Sequence, residues 1–187
     1  HAQLSKEQWP SFRGGGARGI SEAAPTPVSW NMDDETNIKW KTPIPGLSHS
    51  SPIVWDDLIF VTTAESGGAD EELKVGLYGE GDPVDKELPH DWKLFCLDKR
   101  SGKVLWERTA VSGVPEAKRH PKSTHANSTP ATDGKYVVAF FGSEGLYCYD
   151  MAGNPMWEVD FGVLISSPYD GLWAEWGFAS SPIIHDA

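Results

Sequence analysis

The sequence predicts an all-β fold, about two and a half four-stranded blades of a β-propeller, and three observations predict it. Glycine and proline are scattered along the whole chain, 19 and 14 of them in 187 residues, with few of the long Ala, Leu, Glu or Lys stretches that build helices. One unit of sequence occurs more than once. Its copies carry a tryptophan at a fixed offset from a turn glycine. A chain of this length normally buries roughly 70% of its unfolded surface, so it is long enough for a core of its own.

The repeat is legible in two halves. The segment "HSSPIVWDDLIFVTT" (49–63) returns as "NSTPATDGKYVVAFF" (127–141), and its opening returns again as "ASSPIIHDA" (179–187). Each copy reads as a hydroxyl-rich strand ending at Pro52, Pro130 or Pro182, followed by a two-residue turn, Asp56-Asp57 or Asp133-Gly134, and an apolar run. That pattern is a hairpin. The second half, "LFCLDKRSGKVLWERT" (94–109), matches "LYCYDMAGNPMWEVD" (146–160) with one turn residue fewer, which makes a second hairpin.

The elements follow in chain order. Residues 1–36 are expected as an extended N-terminal segment, since the glycines of "FRGGGARG" (12–19) neither follow a strand nor open a helix. Residues 37–45, bearing Trp40, are expected as an outer closing strand, the device by which a propeller pairs away its free edges. Blade one spans 48–110 with an insertion at 64–91, blade two spans 127–161, and 179–187 begins blade three. In the two second hairpins Asp98 and Asp150 can accept backbone N–H bonds across the turn, while Gly102 and Gly153 supply the positive φ of the reversal. Trp106 and Trp157, each four residues past that glycine, and Trp40 by analogy, are read as a tryptophan docking motif. Laying one ring against the neighbouring sheet contributes about 2 to 3 kcal/mol.

Charge and cysteine usage narrow the function classes. A net charge of −11 repels phosphate backbones and anionic lipid, so no nucleic acid partner is expected. No run of about 18 apolar residues is present, so no membrane span is expected. The opening His1-Ala2-Gln3 suits the tail of a processed secretory signal and equally a cloning remnant. Cys96 and Cys148 fall at equivalent strand positions, where buried free thiols are expected rather than a disulfide or a metal pair.

Cys96, Asp98, Ser101, Gly102 and Trp106 sit at the spacing of an Ala-x-Asp-x-x-Thr-Gly-x-x-x-Trp repeat. On these residues the chain resembles the pyrroloquinoline-quinone-like (PQQ-like) repeat propellers. It departs from their pattern where cysteine stands for alanine, where Ser101 stands for threonine, and where the second unit lacks a turn residue and the hydroxyl. The segments 9–23 and 37–46 resemble the start of secreted bacterial proteins of this kind, which are similar to the propeller lipoprotein of outer-membrane barrel assembly. The resemblance implies about seven or eight blades in the whole propeller and a periplasmic or extracellular setting.

In such a fold the 64–91 insertion and the connections 110–126 and 162–178 share one mouth. His90, Asp91, Trp92 and His120 fall on them, and the candidate ligand-binding residues are His49, His125, Asn127, Trp173, Glu175 and Trp176. No metal site is expected, because His120 and His125 lack a ligand spacing and "GGADEEL" (67–73) lacks the alternation of a calcium loop. The leading reading is a non-catalytic binding or scaffold module of the cell envelope. Its partners would be a protein, peptide or glycan ligand, with further blades or a second chain at the open sheet edges. The alternative is a quinone-dependent alcohol or sugar dehydrogenase with pyrroloquinoline quinone and calcium, and the resemblance implies for many alcohol-oxidising members a vicinal cysteine pair that this chain lacks. A hydrolase or lyase using Glu175 or Asp91 ranks last.

Overall fold

The computed structural model describes residues 8–23, 26–68, 73, 88–165 and 177–185. They form two four-stranded antiparallel sheets and, among the described residues, no α-helix. The first sheet takes strands β1 (Ile53–Trp55), β2 (Leu58–Ser66), β3 (His90–Asp98) and β4 (Val104–Gly113) in that spatial order. The second takes β5 (Ala131–Thr132), β6 (Tyr136–Phe140), β7 (Leu146–Asp150) and β8 (Pro155–Val159). Each is one copy of the repeat, a meander from inner to outer strand, and the fold is that of propeller blades standing side by side.

Register proves the copies equivalent. Cys96 faces Phe60 on one side and Trp106 on the other, and Cys148 likewise faces Val138 and Trp157. Both thiols are free and buried, and burial pushes them up to about 12 and about 11. Ile53, Phe60, Leu94 and Cys96 of the first sheet pack with Val137 and Tyr149 of the second, so one apolar cluster binds the two. A second cluster, built on Ala64, Trp92, Ala126, Ala139 and Phe141, lies toward the other end of the strands.

The seam between blades is a repeated wedge. Trp40 lies so close over Gly102 that a Cβ there would sit 2.4 Å from its ring, and its Nε1 donates to Lys99 O at 3.0 Å. Trp106 repeats this on the second sheet, 2.8 Å from a Cβ on Gly153, with Nε1 donating to Met151 O at 3.1 Å. Two residues on, Thr42 Oγ1 donates to Gly102 O and Arg108 Nε donates to Gly153 O, at 2.6 and 2.7 Å. Both glycines have positive φ, +73° and +83°, and each would lose both its conformation and its clearance to any side chain. Trp157, the third of the series, lies in β8 and is half-exposed, with no turn glycine seated on it among the described residues.

Several boundaries differ from expectation. Pro52 and Pro130 precede β1 and β5 rather than ending strands, because a proline cannot donate to the ladder and the hydroxyl residues before it bond across the seam instead. Residues 37–45 carry no strand, although Trp40 sits as a blade's outer tryptophan does; a strand needs a neighbour to pair with, and none is present there among the described residues. The expected insertion at 64–91 is shorter, since β2 runs to Ser66 and pairs with β3 from His90. Residues 179–185 carry no strand, but Thr129 N donates to Ser181 Oγ at 3.0 Å as Ser51 N donates to Thr129 Oγ1 at 3.0 Å, so the third copy meets the second as the second meets the first.

The N-terminal segment is not simply extended. Trp9 exchanges two backbone bonds with Val54, Pro10 O accepts from Thr132 N, and a short 3-10 turn at Gly15–Ala17 follows. It therefore ties the inner edges of both sheets.

Candidate functional site

Strand register places the ends of β2 and β4 together, with His90 opposite both Ser66 and Gly113. The connection from Gly113 to β5 starts at this end and returns to the inner strands. Along it, three hydrogen-bond donors converge on Ala126 O: His49 N at 3.1 Å, Ser50 N at 3.2 Å and Ser48 Oγ at 3.2 Å. This draws the first repeat's start against the second's. The result is a cleft of about 410 Å³ lined by His49, His120, Ser123, Asn127, Gly177 and Ala179. His49, Asn127 and Ala179 are the same position of the three repeat copies, so the cleft is centred where the blades converge.

The wall is held firmly. Asn127 Oδ1 accepts from Thr124 N and Oγ1, and its Nδ2 donates to Ser123 Oγ at 2.7 Å and Thr124 O at 2.8 Å. Its amide thus shapes the loop rather than standing open to a ligand. Arg119, buried, donates from Nη1 to Ser123 O. Lys122 N donates to His120 Nδ1, which puts the imidazole proton on Nε2. Burial, with the nearby Lys122 charge, lowers the His120 pKa and favours the neutral ring.

His125 falls beside the cleft. It does not line this cleft but an adjoining narrow pocket, with space of about 20 Å³ for water, which shares Asn127 and Gly177 with the cleft and includes Glu144 and Phe178. The His125 ring stands edge-on to His90 at 5.0 Å, and its carbonyl accepts from Trp92 Nε1 at 3.1 Å. Trp92 and His90 are buried, so these three residues brace the mouth. Burial raises the Glu144 carboxyl pKa even though Glu116 N donates to it. Trp173, Glu175 and Trp176 lie outside the described residues.

Sequence reasoning passed over Ser123, Arg119 and Ala179. The last was within reach, because "ASSP" aligns with "HSSP" and "NSTP". It also missed Trp55, which lies over the turn of the next sheet, 2.3 Å from a Cβ placed on Gly134. Among the described residues no group of three or more metal-ligating side chains occurs.

Two repeat sheets, joined by tryptophan wedges and sharing a cleft where they converge, define a β-propeller module. Residues 87–175, which take in β3 to β8, match the family model described as outer membrane protein assembly factor BamB. Over those residues, just under half of its length, the chain is similar to that PQQ-like repeat family. No curated protein matches it. No helix among the described residues is long and apolar enough to cross a membrane.

The quinone and calcium that the repeat's name evokes do not fit the described lining. Calcium takes six to eight oxygens, largely from carboxylates and carbonyls. Among the described residues the lining of the larger cleft offers no carboxylate, and the two cysteines are buried in separate sheets.

Proposed function

We propose that the chain is a non-catalytic binding or scaffold module of the cell envelope, periplasmic or extracellular, whose mouth receives a protein, peptide or glycan ligand. One observation carries this reading: the equivalent residues of three repeats meet around a cleft whose wall is fixed by internal hydrogen bonds. Preorganised loops on a rigid scaffold are where binding is least costly in ordering entropy. The similarity to an envelope assembly factor supports the setting and a protein partner. Trp173, Glu175 and Trp176, the further candidates for the mouth, stand four, two and one residues before Gly177 of the cleft in sequence.

The test is binding of the immobilised full chain to peptide and glycan panels, followed by substitution. His49→Ala with Ser123→Ala, and separately Trp173→Ala with Trp176→Ala, should each weaken a ligand by about tenfold. Unchanged binding in both pairs removes the mouth from consideration. The module is expected to act without a resident quinone, so incubation with pyrroloquinoline quinone and calcium should leave no cofactor absorbance after desalting. Stoichiometric retention, with dye reduction by an alcohol or aldose, would establish the dehydrogenase instead.

A further inference from the structure

We propose that the edge of β1 is a strand-docking site, filled in this chain by its own N-terminal arm and equally suited to the arm of a second copy, so that two chains exchange arms. The site adjoins the Asp56-Asp57 turn, whereas the cleft residue His49 precedes β1 at its other end, so the proposal goes beyond the mouth reading. β1 is an edge strand, and Val54 turns both of its backbone groups to the arm. Trp9 N donates to Val54 O at 2.8 Å, and Val54 N donates to Trp9 O at 2.9 Å. Gln8 Nε2 donates to Asp56 Oδ1 at 3.1 Å, and Thr132 N of the second sheet donates to Pro10 O at 2.9 Å. Strand addition of this kind is carried by main-chain bonds, which the same segment of another copy supplies equally well.

Two features make the arm transferable. It carries its own shape: Gly14 N donates to Ser11 O, Ala17 N to Gly14 O and Gly19 N to Arg13 O, and the Trp9 ring packs on Gly14, where a Cβ would sit 2.6 Å away. The tether behind it is not fastened to the blades. Every described residue from Gly16 to Asn37 is exposed, and none of them makes a hydrogen bond to either sheet. Their bonds are local, as from Asn31 N to Thr36 O and from Asn37 Nδ2 to Ser29 O, until Trp40 seats over Gly102. The tether therefore favours the chain's own edge through proximity alone, an advantage equivalent to about millimolar arm or less. Exchange of an identical segment needs no new contact. A vacated β1 edge is itself a template for pairing, which draws in the partner's arm.

Sedimentation velocity and fluorescence anisotropy on the full chain test this, both in a Trp157→Lys background that takes the half-exposed indole of β8 out of play. That parent should form a dimer as concentration rises. Trp9→Pro, which removes the N–H donated to Val54, should abolish the dimer, and Trp9→Phe, which keeps the N–H, should retain it. A labelled peptide of residues 8–19 should bind the Trp9→Pro chain about five- to tenfold more tightly than the parent, whose own arm competes. Circular dichroism of each variant must match the parent. Should Trp9→Pro fail to fold, excess unlabelled peptide added to the parent takes its place and should dissolve the dimer. Peptide binding that is equal on both chains, or absent from both, overturns the docking site. Peptide binding without a dimer, or a dimer that survives Trp9→Pro or the excess peptide, overturns the exchange of arms. Loss of the dimer in Trp9→Phe would place the contact in the indole and overturn docking through the main chain.

Discussion

Asp98 and Asp150 show how one role survives a change of partner. Asp98 Oδ1 accepts from Ser101 N at 2.7 Å and from Ser101 Oγ at 2.6 Å. The second unit has no such hydroxyl, and Asn154 replaces it, donating from its backbone N to Asp150 Oδ1 and from Nδ2 to Oδ2. Both carboxyls are held below the usual range, each chiefly by that side-chain hydrogen bond. A carboxyl whose pKa falls on folding stabilises above its unfolded value and loses that contribution as pH drops through the folded one. Stability should therefore decline as pH falls below about 4. In Asp150→Asn the decline should be shallower, as read from urea midpoints between neutral and acid pH. The aspartates and their glycines were legible because the spacing occurs twice; the Asn154 substitution was not, since it appears in only one copy.

At the scale of the turn and strand, the wedge makes an unequal demand on glycines. Gly153→Ala puts a methyl 2.8 Å from the Trp106 ring at a φ of +83°, whereas a Cβ on Gly113, at the end of β4, meets nothing within 4 Å. The first change should cost about 2 to 3 kcal/mol by chemical denaturation and the second less than about 0.5 kcal/mol. Equal costs would show that the tryptophan does not rest on that turn. Strand ends were less legible than strand cores. Glu65, Ser66, His90 and Asp91 look like loop residues in one dimension, yet they continue the β2–β3 ladder. Polar residues suit a strand end near solvent, where pairing persists after the apolar pattern stops. Trp9 on Val54 and Trp55 on the Gly134 turn were illegible for a different reason: each contact occurs once, across a long separation, with no periodicity to announce it.

For the molecule as a whole, the two sheets are bound by a shared core, a hydroxyl relay and an N-terminal tie, while β8 is an edge strand with no further partner strand among the described residues. Trp157 and Val159, two residues apart on β8 and so on one side of the sheet, are both exposed. We propose that this face receives a further four-stranded unit or a second chain, presenting an Asp-bearing glycine turn to Trp157 as the second sheet does to Trp106. The 187-residue chain should accordingly self-associate at high concentration, and Trp157→Lys should shift it toward monomer in light scattering. A chain that stays monomeric throughout would count against that face as a contact surface.

Trp40 and Trp106 each precede in sequence the turn they rest on, by 59 residues from Trp40 to its acceptor Lys99 and by 45 from Trp106 to Met151. On the ribosome, where the N-terminal part emerges first, each of these two indoles is therefore made before its seat exists. Nascent blades wait with a greasy ring uncovered until the following unit is translated, so slow codons between a tryptophan and its turn should lengthen the interval in which the growing chain needs a chaperone.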